Sequence, residues 1–166
     1  MISKQKGLSL IELITAVTII GITLAVAIPA MEGALGRKNI ESVGRIFEQS
    51  INFARTEAAT LSQIVRIIPE SGSTDWSNGW RLEYTDSTGS TQLIRKFEPL
   101  TGDIIFNSSD FTGLSPMQIL PSGQALAVGT LYLYYADCET GNGLVTYSLL
   151  VSGMLKKRLS LCGGTP

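Results

Sequence analysis

Few side chains in this sequence are of the types that perform enzyme chemistry. The 166 residues include no histidine, which removes the imidazole that most often serves as a catalytic base or a metal ligand. The two cysteines, Cys138 and Cys162, are too few for a zinc site built from four thiolates. An enzyme would need carboxylates, a Ser–Lys pair or a single thiolate, and no such catalytic pair is recognisable. We therefore expect no metal, no cofactor and no enzymatic activity.

Glu12 is a candidate functional residue because it lies inside a long apolar run. It is the only charged residue between Leu8 and Met31. A carboxylate within a membrane-spanning helix costs roughly 2.5–3.5 kcal/mol on the insertion scale, so a functional role is the default interpretation. A plain membrane anchor would not need this carboxylate.

The run Lys156-Lys157-Arg158 is the only set of three adjacent cations in the chain. Adjacent basic residues on a strand can contact phosphates, so these three are candidate DNA-binding residues. Alternate residues of a strand face opposite sides, which places Lys156 and Arg158 together and Lys157 on the other face. The net charge of −1 argues against a protein wholly devoted to nucleic acid, and a simply solvated charged face is the alternative.

The apolar run itself predicts a membrane-spanning helix. Leu8 to Ile28 contains 21 residues, or about 31 Å of helix, which matches a hydrocarbon core of about 30 Å. The preceding segment carries Lys4 and Lys6 and no acid, so the short basic end stays in the cytoplasm and the remainder is translocated. A cleaved secretory signal is the competing interpretation, but its apolar region is shorter, about 7–15 residues.

The remainder of the chain predicts an amphipathic helix followed by antiparallel strands, an α+β fold. From Ile40 to Val65 apolar residues recur three and four apart, as one stripe of a helix that packs on a sheet. Pro29 and Gly33 lead us to expect that the helix bends or loosens between about residues 26 and 36. Ile64 to Ile68 could end the helix or open the first strand.

After Pro69 the pattern changes to short runs of alternating apolar residues separated by turn residues. The candidate strands are Trp80–Thr85, Gln92–Phe97, Ile104–Phe106, Met117–Leu120, Thr130–Ala136, Leu144–Val151 and Met154–Leu161. Ser152-Gly153 is a candidate two-residue hairpin turn. We expect Trp76 and Trp80 to pin a loop onto the core rather than to form an exposed binding pair.

The N-terminal residues carry a resemblance to a known family. Gly7 to Leu13, GLSLIEL, resembles the class III signal of type IV prepilins and type II secretion pseudopilins, with further matches at Gly21 and at Ala27-Ile28-Pro29. The resemblance implies that a prepilin peptidase cuts between Gly7 and Leu8 and that the new amino group of Leu8 is methylated. The sequence departs from the family pattern in one place, because the first mature residue is usually phenylalanine.

The same resemblance implies a type IV pilin fold and a role for Glu12 in assembly. The fold is a long N-terminal helix packed on a C-terminal antiparallel sheet. In the family, the glutamate neutralises the amine of a neighbouring subunit within the filament. The alternative is an ion pair within one helix, since residues four apart share a face. We therefore divide the chain into a leader (1–7), a membrane and filament-core helix (8–30), an amphipathic helix (31–65) and a periplasmic β-rich domain (66–166).

Later segments resemble a subgroup, the FimT/GspH-type minor pilins. They are Phe53–Ala58, Trp76–Trp80, Ile119–Ala125 and Val151–Arg158. The resemblance implies a minor subunit that helps prime or cap a type IV pilus. The alternatives are a FimT-like minor pilin that binds DNA for natural transformation and a GspH-like pseudopilin of a type II secretion system. The implied partners are other major and minor pilins, the prepilin peptidase, the inner-membrane assembly platform and, for the first alternative, DNA.

The implied location is the inner membrane, with one span and a periplasmic C-terminal domain, and then the pilus or pseudopilus after assembly. Disulfides form outside the inner membrane, so we expect Cys138 and Cys162 to pair, closing a loop of about 25 residues and contributing roughly 3 kcal/mol. Two free buried thiols are the alternative. Some FimT-type proteins bind DNA through a C-terminal Gly-Arg-x-Arg-like element. The segment Gly153–Arg158 has the positive charge of that element but not its Gly-Arg-x-Arg pattern.

Overall fold

A computed structural model of the chain describes residues 10–136 and 143–161, and only the backbone for residues 28–37 and 161. Gly7, Leu8, Cys138 and Cys162 lie outside the described residues, so their predicted cleavage, methylation and disulfide stay predictions. One helix precedes eight strands: α1 (Leu10–Leu61), β1 (Val65–Pro69), β2 (Trp80–Thr85), β3 (Thr91–Phe97), β4 (Ile104–Asn107), β5 (Met117–Ile119), β6 (Gly129–Tyr135), β7 (Gly143–Leu149) and β8 (Leu155–Leu161).

The chain divides into two compact units, residues 1–36 and residues 37–166. The first contains the N-terminal part of α1. Its 18-residue segment Leu10–Ala27 has a mean hydropathy of 2.3 and is long and apolar enough to cross a membrane. Helical structure continues through residues 26–36, where we expected the helix to loosen.

The second unit contains the remainder of α1 and two antiparallel four-stranded sheets. Their strand orders are β3-β2-β1-β5 and β4-β6-β7-β8. The predicted apolar stripe of the helix is confirmed as far as residue 58, where its members are buried: Ile40, Val43, Phe47, Ile51, Ala54 and Ala58. Of its last two predicted members, Leu61 is half-buried and Val65 lies in β1. Every candidate strand predicted from the alternating pattern is present to within a few residues.

The helix ends earlier than predicted, at Leu61 rather than at residue 65. Ser62 adopts a left-handed backbone conformation with φ of 53°, and the N–H of Gln63 donates to the carbonyl of Ala58 at 3.3 Å. This closing bond is typical of a helix C-terminus. Val65 consequently opens β1 instead of ending the helix.

Phe47 lies at the centre of the core of this unit. Its ring meets Trp76, Trp80, Phe106 and Tyr147 edge to face, with centroid distances between 4.9 and 6.0 Å. Both tryptophans are fully buried, which confirms the prediction that they pack onto the core. Edge-to-face pairs of this kind add stability beyond the area that they bury.

The turn between β7 and β8 differs from the predicted two-residue hairpin. Its loop has three residues, Val151 to Gly153, because the N–H of Leu150 donates to the carbonyl of Met154 at 3.0 Å. Gly153 has a φ of 72°. A three-residue hairpin loop of this type places its third residue in the left-handed region, which glycine occupies at no steric cost.

Candidate functional site

The surface of the N-terminal helix is the first candidate site. From Leu10 to Val26 its large apolar side chains are exposed, and none of the Leu10–Ala27 segment is buried within the chain. An apolar surface of this extent is unfavourable in water, so it requires lipid or the surfaces of other proteins. Glu12 lies in the first turn of this helix and is exposed.

The hydroxyl groups of this segment are compatible with an apolar environment. Thr15, Thr18 and Thr23 each donate to the backbone carbonyl four residues earlier, at 2.8 to 3.0 Å. In hydrocarbon each polar group must find a partner within the protein. Glu12 is thus the one strongly polar side chain of the Leu10–Ala27 segment that has no hydrogen-bond or ion-pair partner among the described residues. The predicted partner of Glu12 is the amine of a neighbouring subunit, and the chain's own Leu8 amine, the alternative partner, lies outside the described residues.

The cationic run on β8 is divided between two faces, as its alternation predicts. The Lys157 ammonium lies 3.9 Å from a carboxylate oxygen of Glu48 on α1 and 6.0 Å from the centre of the Tyr147 ring. Lys156 and Arg158 are exposed on the opposite face of the sheet. The structure therefore brings two of the three predicted DNA-binding cations together and separates the third.

The outer face that carries Arg158 also carries aromatic residues. Arg158 pairs across the sheet with Thr146, which pairs with Tyr132, which pairs with Asn107. The Asn107 side-chain amide donates to the Tyr134 hydroxyl at 3.3 Å. A sheet face with cations at one edge and partly exposed tyrosines on the same face can bind an extended polyanion.

Tyr147 lies on the inner face of the same sheet, and its hydroxyl is buried against the helix. Burial, with a further contribution from the Glu48 carboxylate, raises the pKa of Tyr147 well above its ordinary value. The phenol therefore stays neutral at physiological pH. A Cβ built at Gly44 would overlap the Tyr147 hydroxyl oxygen, so glycine at this position lets β7 approach α1 closely.

A third feature was not predicted as a site. Arg55 lies in the FARTEA segment of α1 beside a cleft of about 220 Å³, which is lined by Glu48, Ile51, Asn52, Arg55, Met154 and Leu155. Two turns, with Gly123 and Gly153 at their centres, approach its guanidinium. All three segments contributed to the subgroup resemblance, but no local pattern indicated that they meet.

A metal centre is not formed by the part of the chain that the structure describes. Within residues 10–136 and 143–161, no three cysteine, aspartate or glutamate side chains approach closely enough to hold an ion. The chemistry available in this part is ion pairing, apolar contact and hydrogen bonding.

Two family models match the sequence. The model described as type II transport protein GspH matches residues 45–153, and the prokaryotic N-terminal methylation motif matches residues 2–28. The first match spans the last part of the helix and strands β1 to β7, and the second contains Gly7, Leu8 and Glu12. A search of curated protein sequences found no match.

Solved structures with the same fold include a pilin and a pseudopilin. The type IV minor pilin FimU of Pseudomonas aeruginosa aligns with a TM-score of 0.59 and 16% identity, over 78% of this chain and 94% of that chain. The minor pseudopilin EpsH from the type 2 secretion system of Vibrio cholerae aligns with a TM-score of 0.56 and 12% identity, over 76% and 99%. At these identities the likeness shows the pilin-type α+β fold.

Proposed function

The chain belongs to the GspH family of type II transport proteins, and on that premise we propose that it is a minor pilin that helps prime or cap a type IV pilus. The role is structural rather than catalytic. The observation that supports it best is the exposed apolar helix with Glu12 in its first turn, followed by a folded β-rich unit. Such a helix is stable in a bilayer and, after extraction, among the helices of other subunits.

We propose that the protein occupies two locations in turn, the inner membrane and then the filament. The chain is first anchored in the inner membrane by a single span, with residues 37–166 in the periplasm. A prepilin peptidase then removes residues 1–7 and the amino group of Leu8 is methylated. The match of residues 2–28 to the methylation motif supports this processing. The assembly platform transfers the mature subunit into the filament, where it contacts major and minor pilins.

Processing is tested by determining the N-terminus of the protein purified from its own cells. We expect a first residue Leu8 that carries one added methyl group. An unprocessed Met1, or cleavage after Ala27 by an ordinary signal peptidase, would contradict the proposal.

Assembly is tested with Glu12→Ala, followed in the sheared filament fraction. Removal of this carboxylate leaves the amine of the neighbouring subunit buried without a partner, which typically costs several kcal/mol. We expect more than about a tenfold loss of the subunit from filaments. Glu41→Ala is the matched control, because Glu41 is an exposed helix glutamate whose one ion pair in the described residues is with Arg45 at 3.4 Å. Normal incorporation of the Glu12→Ala subunit into filaments would contradict the proposal.

A GspH-like pseudopilin is the alternative within the same family, since both kinds of neighbour share the fold. Deletion of the gene distinguishes the two. Loss of surface pili with normal protein secretion supports the minor pilin, and the reverse result supports the pseudopilin.

A DNA-binding minor pilin is a second candidate, supported by the shared outer face of Lys156, Arg158 and Tyr132. The test is a titration of the full chain in detergent with DNA at two salt concentrations. We expect Lys156→Ala combined with Arg158→Ala to abolish binding or to reduce the salt slope by about 1 to 2. Lys157→Ala is the matched control and should bind normally, because Lys157 lies on the opposite face beside Glu48. Absence of binding at low salt would exclude this candidate.

A further inference from the structure

The guanidinium of Arg55 has no ion-pair partner among the described residues. Its Nε is buried and makes no hydrogen bond within residues 10–136 and 143–161, and no carboxylate there forms an ion pair with its guanidinium. Arg66 provides a comparison, because its Nε is also buried and has no hydrogen-bond partner among the described residues. The terminal nitrogen of Arg66, however, lies 3.0 Å from the Glu83 carboxylate. A buried donor without a partner is costly, so the unpaired guanidinium of Arg55 indicates a binding role.

Two glycine turns lie beside the Arg55 side chain. A Cβ built at Gly123 would lie 3.6 Å from the Nε and a terminal nitrogen of Arg55, and one built at Gly153 would lie 3.5 Å from the Nε. Both glycines have positive φ, 80° and 72°. Both turns therefore pass beside the guanidinium, at a distance where a Cβ on either glycine would be in ordinary van der Waals contact with it. The turns narrow the space around the guanidinium, and side chains that are restricted before binding lose less entropy on binding.

The charges around the cleft favour a single anionic group. Glu48 lines the cleft, but its carboxylate pairs with the Lys157 ammonium at 3.9 Å. Arg55 is left as the one uncompensated charge among the described residues of the lining. A volume of about 220 Å³ equals that of about seven water molecules, which is sufficient for the end of an acidic side chain.

Exposed apolar side chains lie beside the cleft. Met154 is part of its lining and is 58% exposed, and Val151 in the same loop is 62% exposed. The N–H of Ala125 donates to the carbonyl of Val151 at 2.9 Å, which joins this loop to the segment that carries Leu126, 58% exposed. Clustered exposed hydrophobic residues next to a partly buried arginine are typical of the centre of a protein interface.

We propose that Arg55 binds the carboxylate of an aspartate or glutamate side chain of a neighbouring filament subunit, and that apolar residues flanking this acid cover Leu126, Val151 and Met154. The inference rests on the proposed function, which supplies the neighbouring subunit. A nucleic acid fits the cleft poorly, because its lining offers one uncompensated cation and the surrounding apolar side chains offer a chain of phosphates no donors. Guanidinium and carboxylate form two parallel hydrogen bonds, which fixes the orientation of the partner.

The experiment places a photoreactive group beside the cleft in the full chain, as Met154→p-benzoylphenylalanine, in cells that assemble filaments. The crosslinked peptide is then sequenced by mass spectrometry. We expect a segment of another pilin-type subunit that contains an acidic residue. Adding Arg55→Gln should lower the crosslink yield about tenfold. Arg45→Gln, which alters an exposed arginine of the same helix, should leave the yield unchanged.

Two further measurements separate binding from folding. The unfolding midpoint of Arg55→Gln should stay within about 2 °C of the parent, because the described part of the fold uses none of the donors of Arg55. Arg55→Glu should abolish the crosslink, and a lysine in place of the captured acid of the partner should restore it. Three results would overturn the inference. They are a crosslink yield that does not depend on Arg55, a crosslinked peptide without an acidic residue, and no restored crosslink when Arg55→Glu is combined with the lysine in the partner.

Parallel Glu12→Ala cells distinguish the two proposals. Loss of filament incorporation in Glu12→Ala, together with an unchanged crosslink in Arg55→Gln, refutes the Arg55 site alone. Normal incorporation in Glu12→Ala refutes the proposed function on which the site depends.

Discussion

At the scale of single residues, buried polar groups of this chain connect the helix to the sheets. The Ser50 hydroxyl, fully buried, donates to the carbonyl of Phe47 at 2.7 Å and accepts from the Trp80 indole N–H at 3.1 Å. The indole N–H of Trp76 donates to the carbonyl of Phe111 at 3.0 Å. Both indole groups are thus buried without leaving their N–H donors unsatisfied, which fixes their orientation in the core.

Ser50→Ala should lower the free energy of unfolding by about 1–3 kcal/mol, because it leaves the buried Trp80 N–H without an acceptor. Denaturant titration followed by tryptophan fluorescence measures this loss. Thr56→Ala serves as the control, since the one hydrogen bond of the exposed Thr56 hydroxyl among the described residues is to the carbonyl of Asn52 in its own helix. Equal losses in the two variants would contradict the assigned role of Ser50.

Asp86 should make stability depend on acidic pH. Its carboxylate accepts hydrogen bonds from Thr88, Gln92 and Ser90, which lower its pKa from 3.8 to about 2. Because the unfolded carboxyl binds its proton first as the pH falls, the stabilisation is complete above about pH 4 and declines toward pH 2. Unfolding midpoints measured across this range should fall less in Asp86→Asn than in the parent, and identical profiles would contradict the assignment.

At the scale of elements, the approach of α1 to the sheet of β6, β7 and β8 depends on one small residue. Gly44 faces the Tyr147 hydroxyl of β7, and any Cβ at that position would overlap the hydroxyl oxygen. Glycine weakens a helix interior by about 1 kcal/mol relative to alanine. This local cost is offset by the close packing of Val43 and Phe47, the buried neighbours of Gly44 on the helix.

Gly44→Ala should therefore destabilise the protein although alanine is the better helix former. We expect a loss of about 1–3 kcal/mol from overpacking, measured by denaturant unfolding. Tyr147→Phe removes the overlapping oxygen, so the double variant should recover most of the loss. A gain of stability in Gly44→Ala would show that the sheet moves away freely.

At the scale of the whole molecule, the surfaces of the two units require different surroundings. The apolar side chains of Leu10–Ala27 are exposed and need lipid or protein around them. Among the side chains that the structure describes, every member of the cluster of buried hydrophobic residues belongs to residues 37–166. The fold of the second unit is therefore expected to be independent of the environment of the first.

A fragment of residues 37–166 should fold alone, with an unfolding free energy within about 0.5 kcal/mol of that of the full chain in detergent. Denaturant titration of both proteins measures the difference. A shorter fragment that begins at residue 52 is the control. It lacks Phe47 and Ile51, both fully buried, and should remain unfolded. A disordered 37–166 fragment would contradict the independence of the units.

Local periodicity determined much of this protein from sequence alone. The apolar run, the buried helix stripe, the strand order along the chain and the division of Lys156 and Arg158 from Lys157 all follow from repeats of 3.6 and 2 residues. These patterns are readable because each residue's burial is set by its place within one element. The family resemblance at the N-terminus depended likewise on a short continuous segment.

The tertiary structure alone decided which distant residues meet. Ser50 supplies the acceptor for the Trp80 indole N–H, 30 residues further along the chain. Arg55 lies beside turns some 70 and 100 residues further along the chain. The end of α1 at Leu61, with Ser62 in a left-handed conformation, was likewise not specified by the apolar pattern. No periodic pattern specifies such pairs, because they depend on how two sheets pack around one helix. The candidate site at Arg55 belongs to this second class, since its charge is functional only where both turns surround it.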